Sequence, residues 1–175
     1  MLIEIKPVGI VKTNFSDEEV KNAWLTGGVK GVIEVFPEFK DALDGIDGFS
    51  HIILVAWLHK VKPSERTVLR VKHRRLTRLG VPLEALPEVG VFCTDSPHRP
   101  NPIGISIVKL ERRSGRLLYV SGLDLFNGTP IIDIKAYTPD RSIKGLKVPR
   151  WYRELEELVR RYGGGTFSAN IHDNA

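Results

Sequence analysis

Short apolar runs recur along the chain and predict a mainly β protein. The runs are IEIKPVGIVK, GVIEVF, HIILVAWL, RTVLRVK, VGVFC, IGISIVKL, RLLYVSG and PIIDIK. Most are rich in β-branched residues and are separated by Gly, Pro, Asp or Ser, as strands are. Because few helical patterns lie between them, alternating strand–helix units and a doubly wound sheet are disfavoured. An antiparallel sheet closed into a barrel or a sandwich fits the pattern better.

Two helices are predicted from signals at their ends. In FSDEEVKNAW, Ser16 can cap a helix and Glu19 can reach back to close a capping box. In PRWYRELEELVRRY, the large apolar residues fall on one helical face, Pro149 suits the first turn, and a run of glycines follows. The second helix is therefore amphipathic. The mixed charges on its other face indicate packing on the barrel or on a partner subunit rather than on a membrane.

Composition narrows the class of protein and its location. The chain has 175 residues, of which 42% are hydrophobic and 27% charged, so one domain is the simplest expectation, with a second small one open. The first residues lack the pattern of a signal peptide, and the longest apolar run, Ile52 to Leu58, is too short to cross a membrane. We therefore expect a cytoplasmic protein with no membrane association. The lone cysteine, Cys93, lies in the run VGVFC and is expected to be buried.

Positive charge is concentrated in one segment. Between His59 and Arg78, eight basic residues stand against the single acid Glu65, whereas the whole chain carries a net charge of +5. Such a segment is typical of a surface that binds a polyanion, but a solvated charged strand and loop would look the same. The segment contains no Phe, Tyr or Trp on which bases could stack, which argues against a general RNA-binding module. The candidate phosphate contacts are Lys62, Arg66, Arg70, Lys72, Arg74, Arg75 and Arg78.

The motifs of several common chemistries are absent from the sequence. The chain has no G-x-x-x-x-G-K-[ST] phosphate loop, no G-x-G-x-x-G after the first strand, no nucleophile elbow and no HExxH. His51 and His59 lie eight residues apart on one predicted strand, hence about 26 Å apart at the strand rise, so they cannot share a metal ion. These nucleotide, hydrolase and zinc chemistries are therefore disfavoured, and no metal site is predicted.

The stretch TDSPHRPNPIGIS, Thr94 to Ser106, places three prolines within six residues. Each proline restricts the residue before it to extended conformations, so Ser96, Arg99 and Asn101 are held in place before any ligand arrives. Arg99 offers a permanent cation whose fork matches a carboxylate or a phosphate, and Asn101 can both donate and accept. The alternative is a rigid loop that closes a barrel end, with Arg99 paired to an acid.

A second polar segment, GLDLFNGTPIIDIKAY, surrounds a turn predicted at Asn127-Gly128. Asp124 precedes that turn and Asp133 follows it. Two interpretations stay open for each carboxylate. Either it is functional, or Asp124 is a turn residue and Asp133 a charge at a strand edge.

Three segments together are similar to the signature segments of the TsaA-like (TrmO-like) family: GIDGFSHIILVAWLH, GVFCTDSPHRPNPIGIS and NGTPIIDIKAY, in the family's order. The resemblance covers roughly Ile5 to Pro139. It implies a small antiparallel β-barrel with a few short helices and binding of S-adenosylmethionine (SAM). It also implies methyl transfer to N6 of threonylcarbamoyladenosine in the tRNA anticodon loop, by a homodimer with the cofactor near the interface. On this basis we predict a barrel domain over residues 1–148, a C-terminal helix over 149–165 and a mobile tail over 166–175.

The resemblance also indicates which residues contact the cofactor. They lie at the end of the HIILVAWLHK strand, along the proline stretch and at the predicted turn: His59, Lys60, Asp95, Ser96, Arg99, Asn101, Ile105, Asp124, Leu125, Phe126, Asn127 and Gly128. An acceptor nitrogen must lose a proton at or near attack, so a general base is useful. The candidates for that base are Asp133, Asp124 and His98.

The chain departs from the family pattern at three places. Asp95 stands where typical members have an arginine that contacts the cofactor, and its charge suits the amine or sulfonium of SAM rather than the carboxylate. Asn127 stands where many members have Asp, and no Pro-Arg-Gln-Pro segment precedes the second strand. The alternatives to a tRNA methyltransferase are a family member that methylates another nucleoside or a small molecule, and a non-catalytic SAM-binding or RNA-binding protein. Asp95 favours the non-catalytic reading.

Overall fold

The computed structural model describes residues 2–163, which form two compact units. The barrel unit comprises residues 2–60 and 102–142, and the second unit comprises residues 61–101 and 143–163. The sequence-based division at residue 148 stays a prediction. Within the described part of the chain, no helix has the length and apolar character needed to cross a membrane.

The barrel unit is a closed barrel of six antiparallel strands. The strands are β1 Gly9–Lys12, β2 Val29–Val35, β3 His51–Trp57, β6 Ile103–Ser114, β7 Leu117–Leu123 and β8 Pro130–Ala136, arranged around the barrel as β1-β2-β7-β6-β3-β8. β6 and β7 form a hairpin that turns at Gly115 and Arg116. The predicted mainly β fold and its closure into an antiparallel barrel are confirmed.

Alternation along β3 fills the barrel with apolar side chains. Ile52, Leu54 and Ala56 are fully buried, while the residues between them are partly exposed. Successive side chains of a strand point to opposite faces, so this pattern places one face of β3 in the core. Ile33 on β2 and Leu118 on β7 are buried in the same core cluster.

The 61–101 segment begins after β3 and ends before β6, and these two strands are paired. The two strands pair over the whole of β3, up to Trp57 opposite Ile103. One residue further, the Leu58 N–H donates to the Pro102 carbonyl oxygen at 2.7 Å. The chain therefore leaves the barrel unit after Lys60 and re-enters it at Pro102 at the same end of this strand pair.

The helix α1, Asp17–Asn22, begins at the predicted capping box. The Ser16 N–H donates to Glu19 Oε2 at 2.7 Å, and the Glu19 N–H donates to Ser16 Oγ at 3.3 Å. Val20 is buried in the barrel core. The capping box is confirmed, and it fixes the point at which the chain turns into α1.

Two glycines allow β2 and β7 to approach closely at one end. Gly28 has φ +86°, and a Cβ built on it would lie 2.5 Å from the carbonyl carbon of Gly122. Gly122 itself has φ +80°. Residues with a side chain rarely adopt such φ values, so both positions require glycine.

The second unit combines a small sheet, several 3-10 turns and the C-terminal helix. Its strands β4 (Arg70–Lys72) and β5 (Glu88–Gly90) pair antiparallel, and its helix α2 spans Arg150–Gly163. Leu76, Leu86 and Leu155 are almost fully buried, and α2 packs on the 3-10 turn Arg74–Leu79. The amphipathic C-terminal helix is confirmed. Residues 164 and 165 of its predicted span, and the predicted tail over 166–175, lie outside the described residues.

The structure corrects two expectations from the strand pattern. In IEIKPVGIVK only Gly9–Lys12 forms a strand. In VGVFC, β5 ends at Gly90 and a 3-10 turn follows over Val91–Cys93. This turn breaks the two-residue alternation, so Val91 is buried while Phe92 and Cys93 are exposed. The expectation of a buried thiol is therefore wrong.

Candidate functional site

The turn after β3 carries His59 and Lys60, at the end of the barrel where the chain leaves. Lys60 Nζ lies 2.5 Å from Asp17 Oδ2 and 5.1 Å from the centroid of the Phe126 ring. Asp17 is in the first turn of α1, where the Ser16 cap places it. One lysine thus connects the end of β3, the start of α1 and the loop between β7 and β8.

A second cation shares the same aromatic ring. Lys21 Nζ, on α1, lies 5.6 Å from the Phe126 centroid and 3.9 Å from Glu18 Oε2. A lysine ammonium near an aromatic face is stabilised by the charge distribution of the ring. Two ammonium groups, each paired with a carboxylate of α1, therefore lie around Phe126, and the predicted cofactor segments at 59–60 and 124–128 meet here.

The Asn127-Gly128 turn is anchored to the end of β1. The Thr13 N–H donates to Asn127 Oδ1 at 3.1 Å, and the Gly128 N–H donates to the Val11 carbonyl oxygen at 2.9 Å. The predicted turn is confirmed. Its asparagine side chain fixes the loop to the barrel, so the Phe126 ring is presented from a supported backbone.

Asp124 is held by a buried serine inside the barrel. Ser106 on β6 is almost fully buried, and its hydroxyl donates to Asp124 Oδ1. Asp124 itself is exposed. Ile105, the residue before Ser106, points to the other face of β6 and is 71% exposed. The carboxylate at the start of the loop is therefore oriented by the barrel while remaining accessible to solvent.

His59 is biased toward its neutral form. Partial desolvation lowers the pKa of His59, the neighbouring charge of Lys60 lowers that pKa further, and Asp17 partly opposes the change. A cation beside an imidazole disfavours its protonation, and a carboxylate favours it. His59 is consequently a neutral imidazole at neutral pH, able to donate from one ring nitrogen and to accept at the other.

The proline loop of the second unit is closed around Thr94. The Ser96 N–H donates to Thr94 Oγ1 at 3.2 Å, and Arg99 Nη1 donates to the Thr94 carbonyl oxygen at 2.9 Å. The Thr94 hydroxyl donates to the Val91 carbonyl oxygen at 3.0 Å. Arg99 thus fastens the loop to its own backbone. The stiffness of this stretch comes from these bonds as well as from the prolines.

Asp95 lies within electrostatic range of His73 and Tyr152, in the second unit. Desolvation lowers the pKa of His73, Arg75 lowers it further, and Asp95 opposes both. Desolvation, with Glu156, raises the pKa of Tyr152, and Asp95 adds to that rise. The Asp95 carboxylate therefore raises the pKa values of His73, which precedes the 3-10 turn Arg74–Leu79, and of Tyr152 on α2.

The other two base candidates make contacts elsewhere. Asp133 on β8 pairs with Lys135 at 2.5 Å and accepts the Ile134 N–H at 2.9 Å, and it lines an apolar pocket with Phe39. His98 Nδ1, in the second unit, lies 3.6 Å from Glu65 Oε1. Of the three carboxylate and imidazole candidates, Asp124 is the one that belongs to the segment around Phe126.

Three of the basic candidates in the second unit are engaged with nearby carbonyl oxygens. Arg66 donates to Val61 at 3.4 Å, Arg70 to Glu88 at 3.2 Å and Lys72 to Leu83 at 3.2 Å. The side chains of Lys62, Arg74, Arg75 and Arg78 are exposed. Some side chains of the basic segment therefore bind backbone carbonyl oxygens within the second unit, and others are exposed to solvent.

Sequence reasoning missed Asp17, Lys21 and Ser106. The capping box placed Asp17 in the first turn of α1, but nothing local connects it to Lys60, 43 residues away. Ser106 left a clearer signal. It falls on the inward face of β6, on the same side of the strand as Val108 and Leu110. A buried polar side chain on an apolar face needs a hydrogen-bond partner.

The fold and these contacts define a small closed antiparallel β-barrel with a cluster of charged and aromatic residues at one end. A family model described as the tRNA-methyltransferase O N-terminal domain matches residues 10–142. This match covers most of the chain, and the chain belongs to that family. The family resemblance noted in the sequence is thereby confirmed.

Relatives and a solved structure agree with this membership. A protein of Pyrococcus abyssi named "Probable S-adenosyl-L-methionine-binding protein" is 36% identical over 98% of this chain and 89% of its own length. One of Archaeoglobus fulgidus with the same description is 38% identical over 88% of this chain. A rat tRNA (adenine(37)-N6)-methyltransferase is 37% identical over 61% of this chain. The crystal structure of TrmO from Pseudomonas aeruginosa superposes with a TM-score of 0.63 and 28% identity over 84% of this chain.

The lengths of these proteins differ. This chain spans 39% of the Archaeoglobus relative, 22% of the rat enzyme and 61% of the Pseudomonas TrmO structure. Its likeness to the longer proteins is therefore a likeness to one part of them.

Proposed function

We propose that this chain is a SAM-dependent methyltransferase that methylates N6 of adenine in tRNA, with threonylcarbamoyladenosine of the anticodon loop as the substrate. The observation that carries the proposal is the meeting of Lys60 with Phe126, which joins the two predicted cofactor segments of the barrel unit. The names of the relatives and the family support it: SAM binding for the archaeal proteins, and tRNA adenine methylation for the rat enzyme.

The residues of the barrel end suit the chemistry of the cofactor. The methionine carboxylate of SAM would contact the ammonium groups of Lys60 and Lys21 beside or in place of Asp17 and Glu18, their present partners. Neutral His59, Ile105 and the 124–128 loop supply polar and apolar contacts. The proposal adds Asp95, Ser96, Arg99 and Asn101 of the proline loop as further contacts. When bound, SAM supplies an electrophilic methyl group on its sulfonium.

We assign Asp124 as the general base of the transfer. Ser106 holds Oδ1 of Asp124, so the carboxylate has a fixed orientation and a solvent-facing side. It would accept the proton that the acceptor nitrogen loses, and the barrel would position the reactants in line. Asp133 and His98 are less suitable because each is paired with a charged neighbour outside this cluster.

Assays with two tRNA preparations test both the activity and the substrate. Purified protein and SAM are incubated with tRNA that carries the threonylcarbamoyl group and with the same tRNA lacking it, and methylated nucleosides are measured. Methylation only of the modified tRNA is the expected result. Asp124→Asn is expected to lower kcat by about 10²- to 10⁴-fold, because the variant cannot accept the proton. Binding of SAM without methyl transfer to either tRNA would contradict the proposed reaction.

Asp95 supports a second candidate, a SAM-binding protein without turnover. Its charge is opposite to that of the family arginine, and within the second unit it acts on His73 and Tyr152. Calorimetry with SAM, followed by the methylation assay, separates the two functions. Restoring the arginine in Asp95→Arg is expected to tighten SAM binding if the family contact operates here.

A homodimer and a cytoplasmic location complete the proposal. Ile105 and Ile107, on the outer face of β6, are 71% and 52% exposed, and neighbouring apolar side chains of that size are typical of a protein interface. Light scattering of the wild type and of Ile107→Lys tests the dimer. The expected result is a dimer that dissociates in the variant. Cell fractionation tests the location.

A further inference from the structure

The net positive charge of the protein is concentrated in the second unit. Its residues 61–101 and 143–163 include fourteen Lys and Arg against seven Asp and Glu, a net charge of +7, whereas the barrel unit has twelve against thirteen. Charge separation on this scale favours a polyanionic partner for the second unit. Phosphate contacts alone, however, bind any nucleic acid without selecting its form.

Aromatic side chains from α2 adjoin the basic segment, although that segment contains no Phe, Tyr or Trp itself. The ring of Trp151 lies 6.0 Å from that of His73 and 5.6 Å from that of Tyr152 in an edge-on arrangement. His73 immediately precedes the 3-10 turn that carries Arg74, Arg75 and Arg78 as exposed side chains. Arg75 is close enough to lower the pKa of both His73 and Tyr152.

We propose that these residues form a binding surface for unpaired RNA nucleotides, which we call the arginine–aromatic surface: His73, Arg74, Arg75, Arg78, Trp151 and Tyr152. Single-stranded RNA is bound by cations that contact phosphates and by aromatic rings on which splayed bases stack. This surface has both groups on two packed elements of one unit. The inference rests on the proposed tRNA activity for its biological partner, an RNA with unpaired nucleotides.

The arrangement explains how α2 takes part in function. Trp151 and Tyr152 are half-buried, so each residue is partly held by the protein and partly accessible to solvent. Support of this kind reduces the entropy lost when a base stacks. Tyr162, at the other end of α2, is also exposed and stands apart from this group of rings, which makes it a matched control.

The experiment measures binding of RNA to the full chain without SAM. Fluorescence anisotropy is recorded with a labelled single-stranded RNA oligonucleotide, with the duplex of the same sequence, and with an anticodon stem-loop. Tyr152→Leu is expected to weaken binding of the single strand and the stem-loop by about 5- to 100-fold and to affect the duplex little. Tyr152→Phe, which keeps the ring, and Tyr162→Leu are expected to stay within about 2-fold of the wild type.

The arginines are tested through the salt dependence. Arg74→Gln is expected to weaken all RNA forms and to reduce the slope of log K against log salt by about 0.7 for the single strand. Arg112→Gln, which removes the same charge from the barrel unit, is expected to leave the slope unchanged. Thermal unfolding of each variant shows whether the second unit remains folded.

The outcomes separate this surface from the proposed activity. Wild-type binding that Tyr152→Leu leaves unchanged, or that it weakens equally for the duplex, overturns the surface whether or not the protein methylates tRNA. Binding of RNA that depends on Tyr152, together with no methyl transfer, supports the surface and counts against the methyltransferase. A wild type that binds none of the three RNAs overturns the surface directly.

Discussion

Lys60 and Asp17 are 43 residues apart in the chain, and their Nζ and Oδ2 atoms lie 2.5 Å apart at one end of the barrel. The pair fastens the turn after β3 to the first turn of α1. It also places one positive and one negative charge next to His59. An exposed ion pair of this kind contributes only about 0–1 kcal/mol to stability, so its importance is for the electrostatics of the site.

Charge changes at this pair should move the pKa of His59 in opposite directions. Asp17→Asn removes a charge that raises the pKa of His59, so the pKa is expected to fall below its wild-type value. Lys60→Gln removes a charge that lowers it, so the pKa is expected to rise. NMR titration of the His59 ring measures both. Glu18→Gln, whose carboxylate contacts Lys21, serves as the control, and equal shifts in the two variants would contradict the geometry.

Removing the Ser106 hydroxyl should disturb catalysis more than folding. Ser106→Ala leaves Asp124 without its anchor, and a lost hydrogen bond to an exposed carboxylate costs about 1 kcal/mol of unfolding free energy. Misplacement of the base is expected to lower kcat by about 10- to 100-fold. Ser121→Ala is a matched control, because the Ser121 hydroxyl on β7 makes a similar bond to a different carboxylate, donating to Glu111 Oε1 at 2.6 Å. Equal rates for the two variants would argue against Asp124 as the base.

Alanine at Gly28 should destabilise the barrel strongly. The new Cβ would lie 2.5 Å from a backbone carbon of Gly122, and the backbone would keep a φ of +86°. We expect a loss of at least about 2 kcal/mol in the free energy of unfolding. Gly115→Ala, at the β6–β7 turn, also has a positive φ but no atom within 4 Å of the new Cβ, and about 1 kcal/mol is expected there. Denaturant unfolding compares the two.

Stability should fall as the pH drops below the ordinary pKa of histidine, with contributions from His59 and from the more deeply buried His73. The folded-state pKa of His73 is lowered from 6.5, so below about that pH the unfolded chain binds a proton that the folded chain does not. Stability is therefore fully present above pH 6.5 and declines toward the lowered folded-state pKa. His73→Phe keeps a ring against Trp151 and should flatten this decline in a series of melting temperatures. An unchanged acid limb in the variant would show that other groups cause it.

Local patterns in the sequence were enough to predict the barrel strands and the ends of the helices. The alternation in HIILVAWL predicted which face of β3 is buried, and the Ser16–Glu19 capping box predicted where α1 begins. Such signals depend on neighbouring residues and on one core-facing side, so they can be read along the chain. The alternation failed at VGVFC, where a 3-10 turn exposes Cys93. Five apolar residues in a row do not distinguish a strand from a tight turn.

The sequence by itself determined the mainly β fold and the family, because both are encoded by residues close together. Tertiary structure decided which charges meet. It brought Lys60 to Asp17 and Phe126, brought the Ser106 hydroxyl to Asp124, and set Trp151 of α2 beside His73, more than seventy positions earlier. Electrostatic and aromatic contacts act over a few ångströms regardless of sequence separation. They are fixed only when strand register and helix packing bring distant segments to the same place.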